Sequence, residues 1–325
     1  MPSLRPLHGL DSYATATKLS VDTIGIVTLP SDGAEHFVLA ALKFTLKYGQ
    51  YEVHVFRSEP GTWTRYVLLD AKLNAHGMAL GPEKVINLGG GKIGWVDLWQ
   101  GILMCSVVDE NPVLSFIPLP TLLPANQAEF NQNGFTNGRP FRDVVVVCST
   151  ADDGGAIIGC VEGEICTRRV AVETPDVSGA EVLSDSELWL HLIAAGQEDC
   201  VEYLGLRIIT WARPVSSDFW HRSYLLHVDE ILADSRPSHS TSDIMSADNL
   251  NNLTLKELIT CFPTMSMVDG DAVYLLCKGQ LEDQKAWVVT VDTRNKTALE
   301  LVPFSSRGSY FSGMNFTPCA LSKYL

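Results

Sequence analysis

The sequence predicts an all-β, propeller-like protein, and three observations carry that expectation. Short apolar or alternating runs recur along the chain, helical spacing is rare, and two strand–turn–Trp–strand units repeat. The strand runs are His36–Phe44, Tyr51–Phe56, Thr64–Leu69, Lys92–Val96, Gly101–Val108, Pro112–Ile117 and Asp143–Cys148 in the first half. Ala156–Val161, Leu206–Ala212, Ser223–Val228, Ala272–Cys277, Ala286–Val291 and Leu299–Phe304 continue the series. Each is rich in Val, Ile, Leu or aromatic residues and bounded by Gly, Pro, Asp or Ser, which is how short strands read. Helical spacing is confined to Ser186–Gly196, where Leu188, Leu192 and Ile193 share a face, and to Leu253–Phe262. No strand–helix–strand rhythm is visible, so few short helices are expected.

The repeat gives the architecture. Tyr51–Phe56, a polar turn and a strand led by Trp63 match Ile208–Trp211, a polar turn and a strand led by Trp220. Leu103–Val108 with Val113–Leu119, and Val288–Asp292 with Ala298–Phe304, are hairpins of similar size. Their starts are spaced as multiples of a module of about 40–50 residues would be. About five to six blades fit the length, and a pair of β-sandwiches is the competing architecture. Each leading Trp is expected to pack between neighbouring sheets. Residues 1–35 read as an irregular N-terminal segment and 36–325 as a single domain. Thr121–Arg139, rich in Asn, Gln, Gly and Pro, reads as a long loop between blades, and Arg236–Asn252 as a second linker.

Composition bounds the function. In 325 residues, 46% are hydrophobic and 19% charged, and mean hydropathy is +0.10, too apolar for a disordered chain. The net charge of −14 opposes association with nucleic acid or anionic membrane. Asp11, Lys18 and Asp22 interrupt every candidate signal-peptide core, and no apolar run is long enough for a transmembrane helix. Most of the eight cysteines sit in apolar runs, as buried thiols of a reducing compartment do. A cytoplasmic or nuclear protein is expected.

Motifs that would carry chemistry fail on their context. Gly89-Gly-Gly-Lys92 lacks the Ser or Thr and the helix that a phosphate loop needs, and reads as a tight turn. The eight histidines and eight cysteines show no metal-ligand spacing, and no Gly-x-Ser-x-Gly is present. Asp152–Gly154 and Asp269–Asp271 read as hairpin turns, where Asp bonds its own backbone. Arg168–Arg169 and Arg139–Arg142 read as local ion-pair partners. No cofactor or metal is expected. Trp95-Val-Asp97-Leu-Trp99 is the most distinctive stretch. Alternation puts Trp95, Asp97 and Trp99 on one face, either as a recognition surface or as a capped turn with packed indoles.

Several stretches together resemble a known family. Lys84–Gly90, Ile93-Gly-Trp-Val-Asp-Leu-Trp-Gln-Gly-Ile-Leu103 and Leu114–Pro120 are similar to the signature of domain of unknown function 1618. Tyr51–Glu59 with Trp63, Arg142–Val144, Met267–Leu275, Ala286–Lys296 and Leu321–Leu325 extend the resemblance over roughly residues 36–325. It implies a plant protein of a family expanded chiefly in grasses, propeller-like and without assigned activity. Some members carry an F-box, which implies a substrate-recruiting adaptor related to ubiquitin ligases; no F-box is evident in the first 35 residues here. The chain starts later than such members do, so the first blade is expected to lack strands or to draw them from Met1–Pro30.

A non-enzymatic scaffold or adaptor that binds a protein partner, and neither nucleic acid nor membrane, is therefore the leading expectation. Its contacts are expected at Trp95, Asp97 and Trp99 and in loop 121–139. The alternatives are a small-molecule or glycan-binding or hydrolytic propeller, and a truncated non-functional copy. Carboxylates converging in a pocket would mark the enzyme.

Overall fold

The computed structural model describes residues 23–29, 36–45, 47, 49–69, 80–133, 137–147, 156–170, 200–233, 258–268, 270–278 and 285–305. They form four sheets, each an antiparallel meander in chain order. The first holds β1 (Ile24–Leu29), β2 (His36–Phe44), β3 (Gln50–Arg57) and β4 (Thr62–Leu69). The second holds β5 (Lys84–Gly89), β6 (Lys92–Asp97), β7 (Gly101–Ser106) and β8 (Leu114–Pro118). The third holds β9 (Arg142–Val147), β10 (Ile157–Val170), β11 (Cys200–Pro214) and β12 (His221–His227). In the fourth, β14 (Ile259–Met265), β15 (Ala272–Lys278), β16 (Lys285–Asp292) and β17 (Thr297–Ser305) are joined by the two-residue β13 (Leu232–Ala233), parallel to β17. Among the described residues one α-helix, α1 (Pro124–Asn133), links the second sheet to the third.

The apolar core lies in the seams between sheets. Val38, Ala40, Val53 and Val55 of the first sheet pack with Ile93, Trp95 and Leu103 of the second. Ile86, Val96, Leu98 and Ile102, from the opposite face of the second sheet, pack with Val144, Ile158, Cys160 and Trp211 of the third. Val145, Val161 and Ile208 then meet Val273, Leu275 and Val289 of the fourth. The second and third sheets are thus buried on both faces. This explains why their strands read as near-continuous apolar runs as well as alternations. The first strands of the sheets also lie side by side in chain order: β5 contacts β1 and β9, and β9 contacts β14. Edge strand β4, by contrast, is exposed at every other residue or more.

Strand β1 lies within Met1–Pro30, one of the two expectations for the first blade, and pairs with β2 along its whole length, giving the first sheet four strands. Two other expectations need correction. Leu253–Phe262 does not end as a helix, because Ile259–Met265 is a strand of the fourth sheet. Its bulge at Cys261–Thr264 holds Pro263, with Phe262 at φ +53°, and this interruption of the strand pattern hid it. The loop 121–139 contains α1, discussed below. The Gly89–Gly91 turn is as read, with all three φ values positive between β5 and β6. Ser186–Gly196, Asp152–Gly154, Asp269 and Arg236–Asn252 lie outside the described residues. Among the described residues no helix is long and apolar enough to cross a membrane.

Backbone approach sets one strict requirement. A Cβ at Gly101 would stand 2.3 Å from Phe116 Cζ and 2.5 Å from the Ile117 carbonyl oxygen on the paired strand β8. The ring can turn, but the hydrogen-bonded backbone cannot. Gly101→Ala is expected to cost about 1–3 kcal/mol, read as a lower urea midpoint by near-UV circular dichroism. A wild-type midpoint would contradict the packing of β7 on β8.

Candidate functional site

The distinctive Trp-Val-Asp-Leu-Trp stretch ends β6 and turns into β7. Trp95 is wholly buried in the first seam, and its indole N–H donates to the Thr23 carbonyl at 2.7 Å. Asp97, 1% exposed, caps the turn. Its Oδ1 accepts from the backbone N–H of Trp99 and of Gln100, both at 2.9 Å, and its Oδ2 from Gly81 N–H at 2.7 Å. Because β6 stops at Asp97, the alternation stops too, and Trp99 turns away from Trp95. The three residues therefore do not form one exposed face. Of the three, Trp99 lines a cleft.

That cavity unites Trp99 with the segment 121–139. The indole of Trp99 packs against Phe130 of α1 and Phe141, with ring centroids 5.2 and 5.6 Å apart. Next to it opens a cleft of about 310 Å³. Its walls are the Trp99–Gln100 turn, Phe116 and Pro118 of β8, the strap Leu119–Leu122, and Gln127 and Phe130 of α1. None of these residues is ionisable. The Pro118-Leu-Pro120 spacing holds the strap extended, since a residue before proline is driven from helical backbone.

Helix α1 exists because of two buried carboxylates on β10. Glu162 Oε1 accepts from Leu123 N–H and Asn126 Nδ2, and Glu164 Oε1 from Ala125 N–H, each at 2.8 Å. They satisfy amides that the helix start leaves open and place negative charge at its positive end. Ten residues are too few for a stable isolated helix, so these distant acceptors carry it. Arg142 completes the arrangement with its guanidinium fully buried. Nε meets Glu162 Oε2 at 3.1 Å, Nη1 donates to the Leu98 carbonyl at 3.3 Å, and Nη2 to the Pro120 carbonyl at 2.6 Å. Glu164 is paired in turn with Arg207. No local motif marks Glu162 or Phe130, and Phe116 stands out only as part of the Leu114–Pro120 stretch. The signal available for the cleft was the local Pro118/Pro120/Pro124 spacing.

Behind the turn lies a second set of carboxylates. Both oxygens of Glu83 accept from Gly138 N–H at 3.0 Å, while Arg139 Nη2 donates to the Glu83 carbonyl. Burial, reinforced by nearby Asp97, pushes the Glu83 carboxyl up to about 7, against the opposing pull of Gly138 and Arg139. Burial also raises Asp97, opposed by its three amide donors, and Asp143, opposed by Lys84 at 2.6 Å. These groups are held by backbone amides and a lysine and do not line the cleft. Among the described residues no three His, Cys, Asp or Glu side chains converge as metal ligands would. The thiols of Cys105 and Cys160, free and buried, are pushed up to about 12 by burial.

The raised Glu83 value makes stability pH-dependent. The folded state holds a proton that the unfolded chain releases near 4.5, so between about pH 4.5 and 7 stability falls as pH rises. The loss from this group is about 2–3 kcal/mol. Urea unfolding of Glu83→Gln, which keeps an acceptor for Gly138, is expected to show that much less decline between pH 5 and pH 8 than wild type. Parallel profiles for the two proteins would refute a proton held at Glu83.

With this geometry in place, comparison with known proteins identifies a family. No curated protein matches the chain. The family described as a protein of unknown function, DUF1618, matches residues 95–274, from Trp95 in β6 to Tyr274 within β15. This span holds the cleft, α1 and the buried Arg142–Glu162 pair, and covers more than half of the chain. The chain belongs to the DUF1618 family.

Proposed function

We propose that this protein is a non-enzymatic adaptor of propeller architecture that holds an extended, uncharged segment of a partner protein in the Trp99 cleft. The observation that carries the reading is the cleft itself: aromatic and proline walls, two amide side chains, and no ionisable group, in a chain of net charge −14. Aromatic-lined grooves of this chemistry suit an extended apolar or proline-containing peptide, whose backbone loses little entropy on binding. The amides of Gln100 and Gln127 stand at the cleft wall as polar partners for such a backbone, although Gln100 Nε2 also donates to Asp97 Oδ2 at 2.9 Å.

Two arrangements support blades of a propeller over paired sandwiches. The second and third sheets bury both faces, whereas a sandwich sheet buries one. The first strands also neighbour each other in chain order, as the inner strands of successive blades do. The carboxylates with raised pKa lie behind the turn, bonded to amides, and this favours a binding role over carboxylate-driven hydrolysis.

Peptide-display selection on the full chain tests the reading. Enriched peptides are expected to share apolar or proline residues and to lose at least tenfold in affinity on Thr121→Arg. Thr121 is an exposed wall residue, so that variant should keep the wild-type thermal midpoint. Selected peptides that bind both proteins equally, or a selection with no enrichment, would sink the assignment.

A further inference from the structure

At the turn between β11 and β12 the structure carries a guanidinium that it does not satisfy. Arg213 is 5% exposed, and its Nε is buried with no hydrogen-bond partner. Its ring contact is Trp220, whose centroid lies 5.9 Å from Cζ. Trp220 is itself fixed, because its indole N–H donates to the Pro118 carbonyl of the second sheet at 2.8 Å. This cation–π contact places the indole over the guanidinium but leaves the edge of N–H donors without an acceptor. Asp218 stands close enough to favour the charged form against burial, yet Arg213 Nε keeps no hydrogen-bond partner. Buried charges are normally paired and hydrogen-bonded, so a guanidinium held this way fits an acceptor that arrives from outside.

From this geometry we infer that Arg213 and Trp220 form a binding site for a carboxylate, which docks on the guanidinium edge while the indole holds its face. Arginine pairs with a carboxylate through two parallel N–H bonds, and a guanidinium confined by burial and by the Trp220 contact is already oriented for them. The site does not rest on the Trp99 cleft reading. Phe219, 73% exposed beside Trp220, supplies an apolar lip for a group attached to that carboxylate. The chain's net negative charge opposes carboxylates at long range, but that field is screened within about 10 Å at ordinary salt. Asp218 is the local competitor, so removing its charge should strengthen the site.

The test follows the Arg213 Nε–Hε resonance in the 15N-labelled full chain, assigned by its absence in Arg213→Lys. Acetate, the capped dipeptide Ac-Asp-Leu-NH2 and inorganic phosphate are titrated separately. A saturable shift with acetate or the dipeptide is expected, tightened at least threefold by Asp218→Asn. A dipeptide that binds several-fold tighter than acetate identifies an acidic polypeptide as the source, and equal affinities identify a free small acid. Absence of a saturable carboxylate shift in both wild type and Asp218→Asn overturns the site. So does a response to phosphate at concentrations where neither carboxylate acts.

Discussion

The buried Arg142–Glu162 pair is the constraint on which the cleft and its surroundings depend. From one guanidinium, hydrogen bonds run to the β6–β7 turn at Leu98, to the strap at Pro120 and to β10 at Glu162. From the paired carboxylate, others run to the start of α1 at Leu123 and Asn126. Such a pair gains little over well-packed apolar residues, because desolvation offsets most of the attraction. Its consequence is geometric. Each polar atom is satisfied in one arrangement of second sheet, helix and third sheet, and any other leaves a charge buried without a partner.

The same logic separates two chemistries across one turn. On one side, Glu83, Asp97 and Asp143 are buried near each other, with Arg139 and Lys84 and a row of backbone amides to hold them. On the other side, Trp99, Phe116 and Phe130 present an uncharged wall to the cleft. Gly138 joins the two: a Cβ there would stand 2.8 Å from Leu98 Cβ and 3.1 Å from Glu83 Oε1. The returning chain can therefore press close behind Trp99 only with glycine at this position.

Between sheets, apolar packing works alongside these hydrogen bonds. Each interior strand sends alternate residues into opposite seams, as Trp95 and Val96 do from β6, or Val144 and Val145 from β9. A one-residue slip would exchange the two seams entirely. The two seams hold different sets of side chains, so such a slip would mispack both.

Much of this was legible in local pattern. The all-β class, the hairpins led by Trp63 and Trp220, the glycine turn at 89–91 and the family membership all follow from period-2 alternation, turn residues and short motifs. These are local properties of the chain, independent of what lies across a seam. In β1 the apolar pattern of Ile24–Leu29 is broken by Gly25 and Thr28, and the strand is fixed by pairing with β2 along its whole length. The helix α1 was missed because its amides are satisfied by Glu162 and Glu164, 39 residues away, and nothing within the ten residues marks a helix start beyond Pro124. Trp99 was noticed, yet its partners Phe130 and Phe141 were not, and alternation wrongly placed it beside Trp95. Local periodicity thus determined which segments are strands. The tertiary structure alone decided where the cleft lies and which charges are buried, because both depend on contacts between residues far apart in the chain.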